Sequence, residues 1–155
     1  MRSAYGAKES GICHHQAVIV VDVANVMGSR PDGWWRDRPG AALRLHAEIA
    51  ELAAQSSPVL PGDTEPAEFV MVLEGATKAA AARIEAENNS EAENNSPVRV
   101  VQASGSGDDA IVALVRELPG RRAVVTADRE LRRRCEAAGA EVFGPSWLFG
   151  LLRGH

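Results

Sequence analysis

The stretch "AVIVVDVANVMGSRPDGWW", residues 17–35, decides the fold. Residues 17–21 are apolar without alternation, the pattern of a short strand covered on both faces, as in a parallel sheet. The run stops at Asp22. A carboxylate directly after a buried strand can turn the chain, cap a following helix, or ligate a cation. Asn25 lies three residues on and could cap the same turn.

Four more apolar runs of the same kind follow at 69–73, 98–102, 123–126 and 140–143. Helical patterns separate them. Leu45, Ile49 and Leu52 mark a helix after Pro39, and residues 77–86 are alanine-rich and helix-forming. Ile111, Leu114, Val115 and Leu118 hold the i, i+3, i+4, i+7 spacing of one helix face. Leu131, Cys135 and Ala138 mark another helix, stopped by Gly139. "PSWLFGLL" reads as a short closing helix with Pro145 in its first turn. Strands alternating with helices give βαβ units, hence a three-layer α/β/α fold around a parallel five-stranded sheet.

At 155 residues the chain suits one domain with a sizeable core. We expect that domain at residues 16–152, after a leader at 1–15. Within it, "EAENNSEAENNS" at 85–96 duplicates six residues and reads as a loop extension without chemistry. A net charge of −4 argues against a protein that coats nucleic acid, while leaving room for a local basic patch. Two cysteines without a CxxC pair, and a start without an apolar segment of signal type, point to a reducing cytoplasm. The apolar runs are too short to span a bilayer. Cys13, His14 and His15 are neighbours in the leader and read as bland.

The acids follow the strands. Asp22 follows the first, Glu74 the second, Asp108 and Asp109 the third, and Asp128 the fourth. In an open parallel sheet these ends share one edge, where ligands bind. Carboxylates brought together there must take up protons or hold cations. Hard oxygen donors suit Mg²⁺ or Mn²⁺, ions that neutralise phosphate and activate water. Taken singly, each acid also has a structural reading as a turn or cap. The segment "GSGDDA", 105–110, matches a dinucleotide-binding fingerprint as well, with Asp128 near the expected distance. Its two aspartates stand where a pyrophosphate would need bare N–H groups, so the glycines read as a tight lead-in to the helix.

With "VVDVANVMGS", "VLEG", "GSGDDAIVALV" and "VVTADREL" in that order, the chain resembles the NYN branch of the PIN-like nuclease superfamily over roughly residues 17 to 148. The resemblance implies strand order 3-2-1-4-5 and a divalent-metal ribonuclease site. It implies metal ligation by Asp22, Asp109 and Asp128, with Asp108 and Glu74 in or beside the ligand set. Glu74 departs from the branch, which more often has aspartate there. Asn25 matches the asparagine after the first aspartate, and Thr126 the small hydroxyl residue before the last.

Substrate contacts are expected from Asn25, Thr126 and Arg129 at the site, and from "SRPDGWWRDR", 29–38. There Ser29, Arg30 and Arg36 accompany Trp34 and Trp35, a mixture that suits single-stranded nucleic acid. One tryptophan is expected to pack against the core. The basic run 132–134 reads as a solvated helix face, and His46 as a surface or interface residue. A ribonuclease acting on single-stranded RNA is the first reading. A nucleoside triphosphate hydrolase using the same acids, and a non-catalytic RNA-binding or interaction module, are the alternatives. A homo-oligomer is compatible with each.

Overall fold

The computed structural model describes residues 16–55, 58–89 and 98–154. The leader, and residues 90–96 of the duplicated segment, lie outside the described residues.

Five strands form one sheet: β1 Val18–Asp22, β2 Glu68–Leu73, β3 Val98–Gln102, β4 Arg122–Val125 and β5 Glu141–Phe143. Their order is β3-β2-β1-β4-β5, and every pairing is parallel. Among the described residues six α-helices accompany them: α1 Val23–Gly28, α2 Arg38–Gln55, α3 Ala79–Asn89, α4 Gly107–Glu117, α5 Arg129–Ala137 and α6 Pro145–Gly154. The expected strands all form, with bounds shifted by a residue at most ends. Two short 3-10 turns, Trp34–Arg36 and Gly75–Lys78, were not foreseen. The second occupies the start of the helix expected at 77–86, so α3 begins at Ala79 instead.

Strand residues divide by parity, because successive side chains leave opposite faces. Ile19, Val21, Phe69, Met71, Leu73, Ala123 and Val125 join one core with α1, α2, α3 and α6. Val18, Val20, Val70, Val72 and Val124 join the other with α4 and α5. Every residue of β1 is buried, which explains the run without alternation. His46 faces inward on α2 at 7% exposure, which corrects the surface position expected for it. Its neighbours Leu45, Ile49 and Leu52 make the apolar stripe that carries it in. No helix among the described residues is long and apolar enough to cross a membrane.

The order 3-2-1-4-5 fixes where a site can form. From β1 the chain winds to β2 and β3 on one side, then crosses to β4 and β5 on the other. The direction of winding reverses between β1 and β4, and a crevice opens outside their C-terminal ends. Asp22 ends β1, and Thr126 to Asp128 follow β4. α4 packs on both β1 and β2, which sets its first turn over the same edge.

Ile111, fully buried on α4, holds that helix down. Ile111→Ala is expected to cost about 2–5 kcal/mol. Urea denaturation should show a lower midpoint with an unchanged m-value.

Candidate functional site

β1 and β4 run in register, with Val21 opposite Val125. The next step brings Thr126 beside Asp22. The Thr126 hydroxyl donates to Asp22 Oδ2 at 3.0 Å, a buried contact between residues 104 apart in sequence. Asp22 also caps α1, its Oδ1 accepting from the Asn25 N–H at 3.4 Å. The Asn25 side chain does not take the capping role open to it. Its Oδ1 accepts from the Ala127 N–H at 2.7 Å and ties the loop after β4 to α1. Thr126 Oγ1 in turn accepts from the Asp128 N–H at 3.1 Å. Asp128 caps α5 through the Leu131 N–H at 2.9 Å.

Glu74 leaves β2 and turns across to α4, where its Oε1 accepts from the Gly107 N–H at 3.1 Å. A Cβ at position 107 would overlap the Glu74 carboxylate, so a side chain there would push that carboxylate aside. Thr77, which sequence reasoning missed, is buried and pins the turn after Glu74. Its hydroxyl accepts from the Glu74 N–H at 3.0 Å and donates to the Glu74 carbonyl at 2.6 Å. Threonine three residues after a strand-end acid is the spacing of a helix cap, a signal available beforehand. Lys78 Nζ donates to the Ala103 carbonyl at 2.9 Å and links this turn to the loop before α4.

The aspartates opening α4 separate. The cap itself is Ser106, whose Oγ accepts from the Asp109 N–H at 3.0 Å. The Asp109 side chain is 74% exposed and pairs with Arg134 of α5 at 2.9 Å. Asp108 turns toward the other acids. Burial raises its pKa first, with Asp128 and Glu74 adding to the rise and Arg134 opposing it. Asp22, at 4% exposure, is raised from 3.8 to about 6. Burial is the largest cause. Hydrogen bonds from Thr126 and Asn25 oppose it, and the charges of Asp108 and Glu74 add to it. Asp22, Glu74, Asp108 and Asp128 therefore share one field, with Asp109 at its rim.

These hard oxygen donors fit a divalent cation by chemistry and by the charge they lack. As the side chains stand, no three His, Cys, Asp or Glu among the described residues are set to hold one. Cys135, beneath the cluster, is fully buried, and burial pushes its thiol up to about 11, so it is inert.

The expected substrate contacts disperse. Arg30 forks onto Glu48 at 2.7 and 3.1 Å and lies over the Phe149 ring at 4.5 Å, which occupies it structurally. The Ser29 hydroxyl donates to the Asn25 carbonyl at 3.0 Å. Arg129 is exposed at the start of α5, beside Asp128. Trp34 packs against the core, as expected of one tryptophan, while Trp35 is 54% exposed with Arg36 over its ring.

The fold is similar to that of a mutant of Rae1 (YacP) from Bacillus subtilis, with a TM-score of 0.61. The match covers 88% of this chain and 74% of that one, at 16% sequence identity. At that identity the likeness is one of fold, and it agrees with the PIN-like architecture expected from the sequence. No family model and no curated protein matches the chain.

Two predictions concern the cluster. The raised folded pKa of Asp22 means that the fold favours its protonated form. The contribution of Asp22 to stability is therefore greatest below the unfolded value of 3.8 and is lost as pH rises through about 6. Asp22→Asn removes that loss. It should raise metal-free stability by about 1–3 kcal/mol at neutral pH and by little below pH 4. Thermal melts across that range check it. Gly107→Ala should displace the Glu74 carboxylate from the Gly107 N–H and cost about 0.5–1.5 kcal/mol, the scale of one lost hydrogen bond, while Gly105→Ala, with open space around it, costs less.

Proposed function

We propose that this chain is a divalent-metal-dependent phosphodiesterase and that single-stranded RNA is its substrate. The observation that carries the reading is the convergence of Asp22, Glu74, Asp108 and Asp128 at the crevice between β1 and β4, where burial above all, with the charges of Asp108 and Glu74 adding, raises Asp22 to about 6. Clustered acids that cost stability are more often functional than structural. The fold likeness supports the three-layer α/β scaffold alone and leaves activity and substrate to experiment.

Asp22 and Asp128 would hold the ion together with the α4 pair, of which Asp108 faces inward and Asp109 would join on leaving Arg134. A Mg²⁺ or Mn²⁺ ion supplies charge neutralisation and a water acidic enough to be activated near neutral pH. The chain's own part is preorganisation. Thr126 fixes one oxygen of Asp22, and Asn25 clamps the loop that carries Asp128. Glu74 is held on Gly107, where it keeps the local charge negative. Arg129, at the head of α5, is placed to meet a phosphate at the same edge.

Wild-type protein should cleave single-stranded RNA with Mn²⁺ and not with chelator. Asp22→Asn or Asp128→Asn should reduce the rate roughly 100-fold or more with the fold retained. The Mn²⁺ concentration required should rise as pH falls below about 6, since protons and metal compete for Asp22. Hydrolysis of nucleoside triphosphates with none of RNA would overturn the nuclease reading. Full activity in the aspartate variants would overturn the site.

A further inference from the structure

A cleft of about 300 Å³ lies beside the acids, between α1, the Trp34–Arg36 turn and the Gly75–Lys78 turn. Ala24, Met27, Trp34 and Arg38 form one side, and Glu74 to Thr77 the other. Its volume is at the small end of ligand clefts, about 300–1,000 Å³. Glu74 is the shared wall, so whatever fills the cleft adjoins the carboxylate cluster.

The tryptophan wall is built, not incidental. Gly33 at φ 78° starts the turn, a conformation that favours glycine. Trp34 then rests against Gly28, where an added Cβ would lie 3.7 Å from its ring. Trp35 stands edge-on to Trp34, with centroids 6.0 Å apart, and keeps more than half its surface in water. Arg38 lies 5.3 Å from the Trp34 ring and Arg36 lies 5.7 Å from the Trp35 ring. Two aromatic faces, each with its own guanidinium, thus stand within five residues. A large apolar side chain left exposed is informative where charge accompanies it.

The charges orient an occupant. The acid wall repels a phosphate that lacks a cation, while the arginine wall attracts one. A neutral planar group suits the space between them. We propose that the cleft takes one unpaired nucleobase, stacked on Trp34, and that Trp35 stacks its neighbour, with Arg38 and Arg36 neutralising the flanking phosphates. A paired base cannot enter, so the cleft selects single strands. This deepens the proposed function and rests on it for the direction in which the strand then runs, toward the acids.

The test is binding of a fluorescein-labelled 12-nucleotide RNA, single-stranded or as a blunt duplex, in chelator so that no cleavage intervenes. Trp35→Ala, exposed enough to fold, should weaken single-strand binding roughly 5- to 100-fold, the scale of losing one base stack. Arg38→Gln should also weaken it and should flatten the salt dependence by about 0.7 in log–log slope, as loss of one phosphate contact on a single strand requires. Trp34→Phe, which keeps a ring against the core, should retain most of the affinity. Unchanged affinity in both Trp35→Ala and Arg38→Gln, or duplex bound as tightly as single strand, overturns the cleft. Repeating the assay with Mn²⁺ separates the two readings. Ring-dependent binding without cleavage removes the nuclease and keeps the cleft. Cleavage of subsaturating RNA that neither variant slows removes the cleft and keeps the nuclease.

Discussion

β1 is enclosed on every side. β2 and β4 take its two edges, and the two cores take its two faces. A strand so placed cannot carry polar side chains along its length without leaving them unsatisfied, so its residues are apolar until the sheet ends. The first position where a polar group can stand is the C-terminal edge, and there it meets the loop after β4. Asp22 occupies that position. Its bond from Thr126 joins the two strand ends where the winding reverses, and α1 starts from its other oxygen. The crevice, the direction of α1 and the placing of the loop before α5 all descend from this one buried strand end.

Three of the four acids there have a backbone partner. Asp22 accepts from Asn25, Glu74 from Gly107 and Asp128 from Leu131. Such bonds favour the charged carboxylate, and two of them are helix caps, where the dipole helps as well. For Asp22 they are outweighed by burial and like charge. The structural and chemical readings of these residues are therefore not rivals. A cap fixes the direction of a side chain, and a fixed carboxylate facing others is what a cation site needs. What the capping role does not explain is the placement of four acids in one field, since one cap would serve each helix elsewhere.

Much of the fold was legible because burial on both faces leaves an unmistakable trace. Valine-rich runs mark the strands, and Ile111 to Leu118 mark α4. The strand order came from the resemblance and agrees with the sheet observed. The losses share one cause, that side-chain partners lie far off in sequence. Arg30 looked available until Glu48, 18 residues on in α2, took both ends of its guanidinium. His46 looked exposed because it is polar, although its place three residues before Ile49 sets it on the apolar stripe of α2. The tryptophans are adjacent and nearly equivalent in sequence, yet one supports the core and the other stands in water. Only the turn begun at Gly33 distinguishes them.

The same limit governs Asp108 and Asp109, and there it bears on mechanism. Neighbours on a helix point about 100° apart, so one of the pair can face the cluster while the other looks across to α5. Sequence resemblance selects Asp109, but the charge that Asp22 senses is that of Asp108. Arg134 engages Asp109 directly and lowers the pKa of Asp108 as well, so this cation steadies both members of the pair. Because Asp109 is largely exposed, its ion pair is held weakly against solvent. The division of the pair follows from where the chain's own cation sits.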